Sequence, residues 1–164
     1  MMPVGADLQS APTEHKSTIQ MQTLRTLLTG LFMATASISM AQVTVSTSQL
    51  NGTKWRVKGS TSGSVYEYTM SQEIWRRKDG SFCTYPYYLT DTPITSYEYS
   101  AFDYSKVGKN TKGRYYVTVN EVLKITYCDS IVAFDRTKGV YVTKLVTKGL
   151  IGTGDGMCTY EMVK

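Results

Sequence analysis

Gly113-Arg114-Tyr115-Tyr116-Val117-Thr118-Val119-Asn120, followed by Leu123-Lys124-Ile125-Thr126-Tyr127, repeats its residue types with period two. Successive side chains of an extended strand point to opposite faces, so this alternation describes strands with one dry and one wet side. Tyr115, Val117 and Val119 share one side and Tyr116, Thr118 and Asn120 the other, and Leu123, Ile125 and Tyr127 continue the pattern on a second strand. Working outward, Trp55 and Val57 oppose Lys54, Arg56 and Lys58, and Tyr66, Tyr68 and Met70 repeat the rhythm. No stretch after Gly52 keeps apolar residues at helical spacing for more than a turn. The segments are rich in Tyr, Val and Thr, which fit a pleated, half-buried surface, so the chain reads as all-β.

Turn residues fall where hairpins need them, because glycine accepts positive φ and Asp or Asn tolerate it. Asp79-Gly80 is expected to reverse the chain between Ile74-Trp75-Arg76 and Phe82-Cys83-Thr84. Asn120-Glu121 and Asp129-Ser130 read as the next reversals, and Thr137-Lys138-Gly139 joins residues 131–134 to 140–146. Gly152 to Gly156 leads into a last strand with Cys158, Tyr160 and Met162 on one face. Pro86 and Pro93 cannot donate to a ladder, so residues 85–113 are expected to form a short strand and a long loop over 103–112. Residues 42–49 read as a linker or a loosely attached first strand. About eight short strands in sequence, with no internal repeat, predict a single antiparallel up-and-down β-barrel, since closure removes the sheet edges. A two-sheet sandwich is the competing architecture, because period two is common to both.

Upstream of this domain, Met21-Gln22-Thr23-Leu24-Arg25, an apolar run over 26–38 and Ser39-Met40-Ala41 have the charge, length and small-residue cleavage site of an export signal. Residues 1–20 read as an upstream extension, 21–41 as the signal peptide and 42–164 as the mature domain, periplasmic or secreted. The single histidine, His15, lies before this signal, so the mature chain has none. That excludes a nucleophile–histidine pair and any histidine-containing zinc site. From Gln42 onward 16 Lys and Arg face 11 Asp and Glu, a mild excess scattered along the chain except for Arg76-Arg77-Lys78. Such a charge suits solubility and does not point to nucleic acid. No run after Ala41 approaches the ~18 apolar residues of a spanning helix. An oxidising destination permits a bridge between two of Cys83, Cys128 and Cys158; the plainer reading is three small buried side chains.

Two stretches carry a resemblance. Leu50-Asn51-Gly52-Thr53-Lys54-Trp55 resembles the entry strand of lipocalin-like domains, in which a glycine shortly precedes a tryptophan that plugs the barrel; here the spacing is one residue longer. Residues 113–120 with Leu123-Lys124-Ile125 resemble the late strands of small exported bacterial lipocalin-like proteins. The resemblance implies a calycin-type barrel and many members without an assigned activity.

Three functional readings follow. Inward rings of Trp55, Tyr66, Tyr68, Tyr115 and Tyr127 are expected either to fill the core or to line a pocket for a small apolar or amphipathic ligand, each tyrosine offering a ring and a hydroxyl. Trp75 beside Arg76 and Arg77 has the composition of an interface anchor for a cell-envelope protein or glycan; otherwise it is a solvated hairpin tip. Catalysis is not expected, since Glu67, Glu73, Glu98, Asp103 and Glu121 stand in no recognisable motif. No cofactor or metal site is expected, because the glycine-rich stretch around Asp155 has too few oxygens for Ca²⁺.

Overall fold

The computed structural model of the protein describes residues 43–148 and 156–164, so the stretches read as an upstream extension (1–20) and a signal peptide (21–41) lie outside the described residues. Ten strands form among the described residues: β1 (Val45–Ser46), β2 (Lys54–Val57), β3 (Val65–Tyr68), β4 (Gln72–Arg76), β5 (Phe82–Thr90), β6 (Lys112–Gly113), β7 (Tyr115–Asn120), β8 (Ile125–Asp135), β9 (Val140–Leu145) and β10 (Met157–Met162). Eight of them close an antiparallel barrel in the order β10-β2-β3-β4-β5-β7-β8-β9, each beside its neighbour in the chain apart from the interposed β6. The expected barrel is therefore the one the chain adopts. An eight-stranded antiparallel barrel of this kind is compatible with a lipocalin-like fold.

Hairpin chemistry accounts for several connections. Gly80 has φ 85° at the β4–β5 reversal, and the flanking register pairs Arg76 with Phe82 and Trp75 with Cys83. Gly139 has φ 67° before β9. On the outer wall, Glu67 of β3 reaches Lys54 of β2 at 3.0 Å and Arg76 of β4 at 3.1 Å, which fixes the wet face that the alternation predicts.

One end of the barrel is plugged. Ser46 caps a single helical turn, α1 (Thr47–Leu50), by accepting from the Gln49 N–H while the Gln49 side chain accepts from the Ser46 N–H. This reciprocal pair satisfies donors that a helix start otherwise leaves open. Leu50 and Val45 are fully buried there beside Trp55, Tyr87, Leu89 and Ile131. Trp55 is 0 % exposed; its indole N–H donates to Thr53 Oγ1 at 2.7 Å, and its ring meets Phe134 and Tyr141. Phe134 reaches the interior because the β8–β9 ladder slips by one residue between Ile131 and Ala133, a bulge that re-aims the side chains beyond it. The stretch read as a linker or a loosely attached first strand thus holds a short strand, β1, paired with β6, and leads into an ordered plug.

A second core lies outside the wall. The segment between β5 and β6, with 3-10 turns at Tyr99–Ala101 and Tyr104–Lys106, covers the outer face of β7 and β8. Phe102 packs there with Tyr88, Val117, Val119 and Cys128. With this cover in place β7 is buried on both sides, which overturns the expected face: Tyr116, Thr118 and Asn120 point into the barrel, while Tyr115 joins the outer cluster.

Two further expectations are corrected. Asp129-Ser130 is not a turn; β8 runs unbroken through it, Asp129 pairing with Tyr116 and Ser130 with Tyr115. The short strand expected within residues 85–113 is instead the second half of a nine-residue strand, because β5 passes straight through Pro86. The Tyr87 N–H bonds to Ser71 O on the β4 side, so the ring nitrogen of Pro86 faces the other side, where pairing with β7 begins only at Tyr87. A missing donor costs little where no partner strand runs. The three cysteines are free thiols. They stand on β5, β8 and β10, with a strand between each and the next, so no two occupy the adjacent positions a disulfide needs.

Candidate functional site

β2, β4, β7 and β9 all run away from the plug, so the connections 58–64, 77–81 and 121–124 surround the opposite end. Between plug and rim the interior holds a cavity of about 320 Å³ that opens to solvent. That volume lies at the small end of the ~300–1,000 Å³ range of small-molecule sites. Its wall is aromatic. β3 contributes Tyr66 and Tyr68, β4 Trp75, β5 Tyr85, β7 Tyr116, β8 Tyr127, β9 Tyr141 and β10 Tyr160. Thr118, Asn120 and Thr143 add small polar groups. The rings pack edge to face or in parallel: Tyr68 meets Tyr87 and Tyr116 at 5.6 and 5.9 Å, and Tyr141 stacks on Tyr160 at 5.2 Å. Such geometries add ~0.5–1.5 kcal/mol per pair beyond the burial itself, so the tyrosines form a rigid lining.

Two carboxylates complete the wall, Glu73 from β4 and Asp129 from β8. Glu73 is 9 % exposed and accepts hydrogen bonds from the Tyr116 hydroxyl at 2.5 Å and the Tyr68 hydroxyl at 3.1 Å. Burial raises its carboxyl above the ordinary range even though both hydroxyls stabilise the charge. Asp129 is pushed up to about 7, first by burial and then by the nearby Glu73. No hydrogen bond or ion pair among the described residues engages the Asp129 carboxylate. The same two causes raise the Tyr66 hydroxyl to about 12. Among the described residues no lysine, arginine or histidine lines the cavity.

Of the side chains singled out in the sequence, Tyr66, Tyr68 and Tyr127 stand together in this wall. Trp55 lies beneath it in the plug, and Tyr115 lies outside the barrel. Trp75 is brought into the cavity instead of standing on the surface. It lies parallel to Tyr66, with ring centroids 6.4 Å apart, while the Arg77 guanidinium sits 4.4 Å over its ring from the rim. Arg77 also donates to Ser81 Oγ at 3.2 Å. Arg76 stays on the outer wall with Glu67, so the expected Trp–Arg–Arg cluster is split between the two faces. Glu98, Asp103 and Glu121 fall outside the cavity, which leaves Glu73 as the only candidate acid from the sequence reading that lines it. Sequence reasoning missed Asp129, Tyr116 and Tyr160: setting the β7 alternation in the opposite sense would have found Tyr116, Tyr160 stands on a face already grouped with Cys158 and Met162, and Asp129 reads as part of a turn.

At the rim a lateral cleft of about 490 Å³ lies between Phe82, Cys83, Thr84 and Tyr85 on one side and Asn120, Glu121, Val122 and Leu123 on the other. Phe82, Val122 and Leu123 are 59, 90 and 60 % exposed. Tyr85 and Asn120 line both this cleft and the interior cavity, so the two adjoin. No protein-family model, no curated protein and no solved structure matches the chain. The chemistry of the cavity is therefore what bears on function.

Proposed function

We propose that this protein is an exported, non-catalytic binding module that holds a small amphipathic molecule inside a lipocalin-like barrel. The observation that carries the reading is the open, aromatic-lined cavity above a sealed plug. Filled barrels of eight strands pack side chains across the axis, whereas here the packed layer stops at the plug and ring edges with a few polar groups face free volume. The non-catalytic part draws on the occupation of Glu73, whose carboxylate accepts from two tyrosine hydroxyls. The outcome expected on native mass spectrometry of protein purified from its own host is a retained mass of a few hundred daltons in one-to-one ratio. A bare polypeptide that also fails to take up an amphipathic fluorophore at millimolar concentration would refute the reading.

A second reading, contact with a cell-envelope protein or glycan, is supported by the exposed Phe82, Val122 and Leu123 around the rim cleft. Exposed apolar groups clustered at one place are a common mark of an interaction site. Substituting Leu123 and Val122 by serine is expected to abolish co-purification with such a partner and leave the retained small molecule in place.

A further inference from the structure

The cavity combines two features that together restrict its ligand. Its wall is aromatic, and among the described residues its ionisable groups other than tyrosines are the two carboxylates of Glu73 and Asp129. Several acids of the outer surface have basic partners: Glu67 lies against Lys54 and Arg76, and Glu161 against Arg56 at 2.6 Å. Inside, no basic side chain among the described residues lines the cavity, and a buried acid without one is held at a cost that a bound positive charge relieves. We propose that the occupant is a small organic cation, an ammonium group on an apolar body, with its N–H groups donating to Asp129 and Glu73 and its body against Tyr66 and Trp75. This rests on the reading of the cavity as a ligand site and names the ligand's class.

Each part of the site suits that class. The carboxylates accept charge-assisted hydrogen bonds, which are stronger than neutral ones. Tyrosine and tryptophan faces attract cations through the ring quadrupole and accept apolar surface equally well. A bare divalent ion fits poorly: Ca²⁺ takes ~6–8 oxygens, and no group of three or more acidic, histidine or cysteine ligands occurs among the described residues. Two acids in a cavity of 320 Å³ leave room for an organic body instead. An anionic ligand would bring a third negative charge beside the pair. The one cation near the wall, Arg77, lies over Trp75 at the rim, its guanidinium turned to Ser81 and Cys83 of the hairpin.

The proposal carries a pH signature. The titratable groups that interact with Asp129 are Glu73, Tyr141, Cys158 and Cys128, and every one is neutral when protonated. The tyrosine and both thiols are raised by burial and stay neutral near pH 7. Asp129, at about 7, is half protonated in the empty cavity at neutral pH. An alkylammonium stays charged to about pH 9. Its affinity therefore rises as pH rises through 7, and binding at neutral pH releases protons.

The test uses three probes of one shape and different charge, 2-phenylethylamine, 2-phenylethanol and 3-phenylpropionate, titrated calorimetrically into the mature protein at pH 8 and pH 5. The amine is expected to bind one per barrel, at least about tenfold tighter than the alcohol at pH 8, with the acid not binding. Asp129→Asn and Glu73→Gln, both of which keep an acceptor and the side-chain volume, should each weaken the amine about tenfold and leave the alcohol unchanged. Near-ultraviolet circular dichroism of the variants establishes that the tyrosine lining is intact. An alcohol that binds as tightly as the amine, or an amine unaffected by both variants, would overturn the cationic assignment while leaving the cavity as a ligand site. If no probe binds but protein from its own host retains a small molecule, the assignment alone falls; if nothing is retained either, both readings fall.

Discussion

Replacing Asp129 by Asn should reverse part of the protein's response to pH. The folded state holds the Asp129 carboxyl at about 7, against an ordinary value of 3.8. Because the folded protein keeps this proton at pH values where the unfolded chain has released it, the stabilisation is fully present below about pH 4 and is lost as pH rises through 7. A shift of roughly three units at 1.36 kcal/mol each amounts to about 4 kcal/mol, of which about 2.5 kcal/mol falls between pH 5 and pH 8. That interval separates Asp129 from most of the other ionisable groups. The carboxyls of Glu67, Asp79, Asp103 and Asp135 are all lowered and titrate below it, and the tyrosines titrate above it. Glu73 is raised by burial and contributes in the same direction. Urea unfolding of residues 42–164, dialysed free of small molecules, is the assay. The native chain should be less stable at pH 8 than at pH 5, and the Asn variant should gain about 2.5 kcal/mol relative to it across the same interval. A native protein that becomes more stable toward pH 8, or a variant with the native slope, would show that the Asp129 carboxyl is solvated and that the cavity is wetter than its lining implies.

Trp55→Ala removes the largest ring of the plug and should cost about 3–5 kcal/mol, measured as a fall in the denaturation midpoint at unchanged slope. Tyr116→Phe withdraws the shorter of the two hydroxyl bonds to Glu73 and should destabilise the fold by about 1–3 kcal/mol at pH 8. The loss should shrink at pH 4, where the carboxyl is protonated. Cys128 is fully buried and its thiol is pushed up to about 11, so Ellman's reagent at pH 8 should modify it only after unfolding; half-buried Cys83 should react in the native protein.

How much of this was legible in the sequence depends on how many sides of each strand meet water. Strands β2 and β3 have one wet face, and there the Lys54, Arg56 and Glu67 pattern identifies the interior directly. Strand β7 has none, because the segment carrying Phe102 covers its outside; Val117 and Val119 are as buried as Tyr116, and alternation loses its sign. Asp129 reads as a turn residue because an acid in a strand interior is rare. Its place becomes intelligible only once Glu73, 56 residues earlier in the chain, is brought to the same wall. The plug was recoverable. Ser46-Thr47-Ser48-Gln49 is a capping box, a local signal that needs no tertiary contact. The lateral cleft was not, since it depends on where two strands separated by the whole 91–114 segment stop pairing.

Pro86 marks where that parting begins. Above it β5 has β4 as its only ladder partner, and its carbonyl is held across the gap by the Thr118 hydroxyl at 3.0 Å. A side chain acts as a latch where a backbone ladder would otherwise be a weld. Breaking that one bond costs on the order of 1 kcal/mol, so the seam between β5 and β7 is held more weakly above Pro86 than below it, where the ladder is complete. The two ends of the barrel are thus held by different means, packed side chains of Val45, Leu50 and Trp55 at the floor and a single hydroxyl at the mouth.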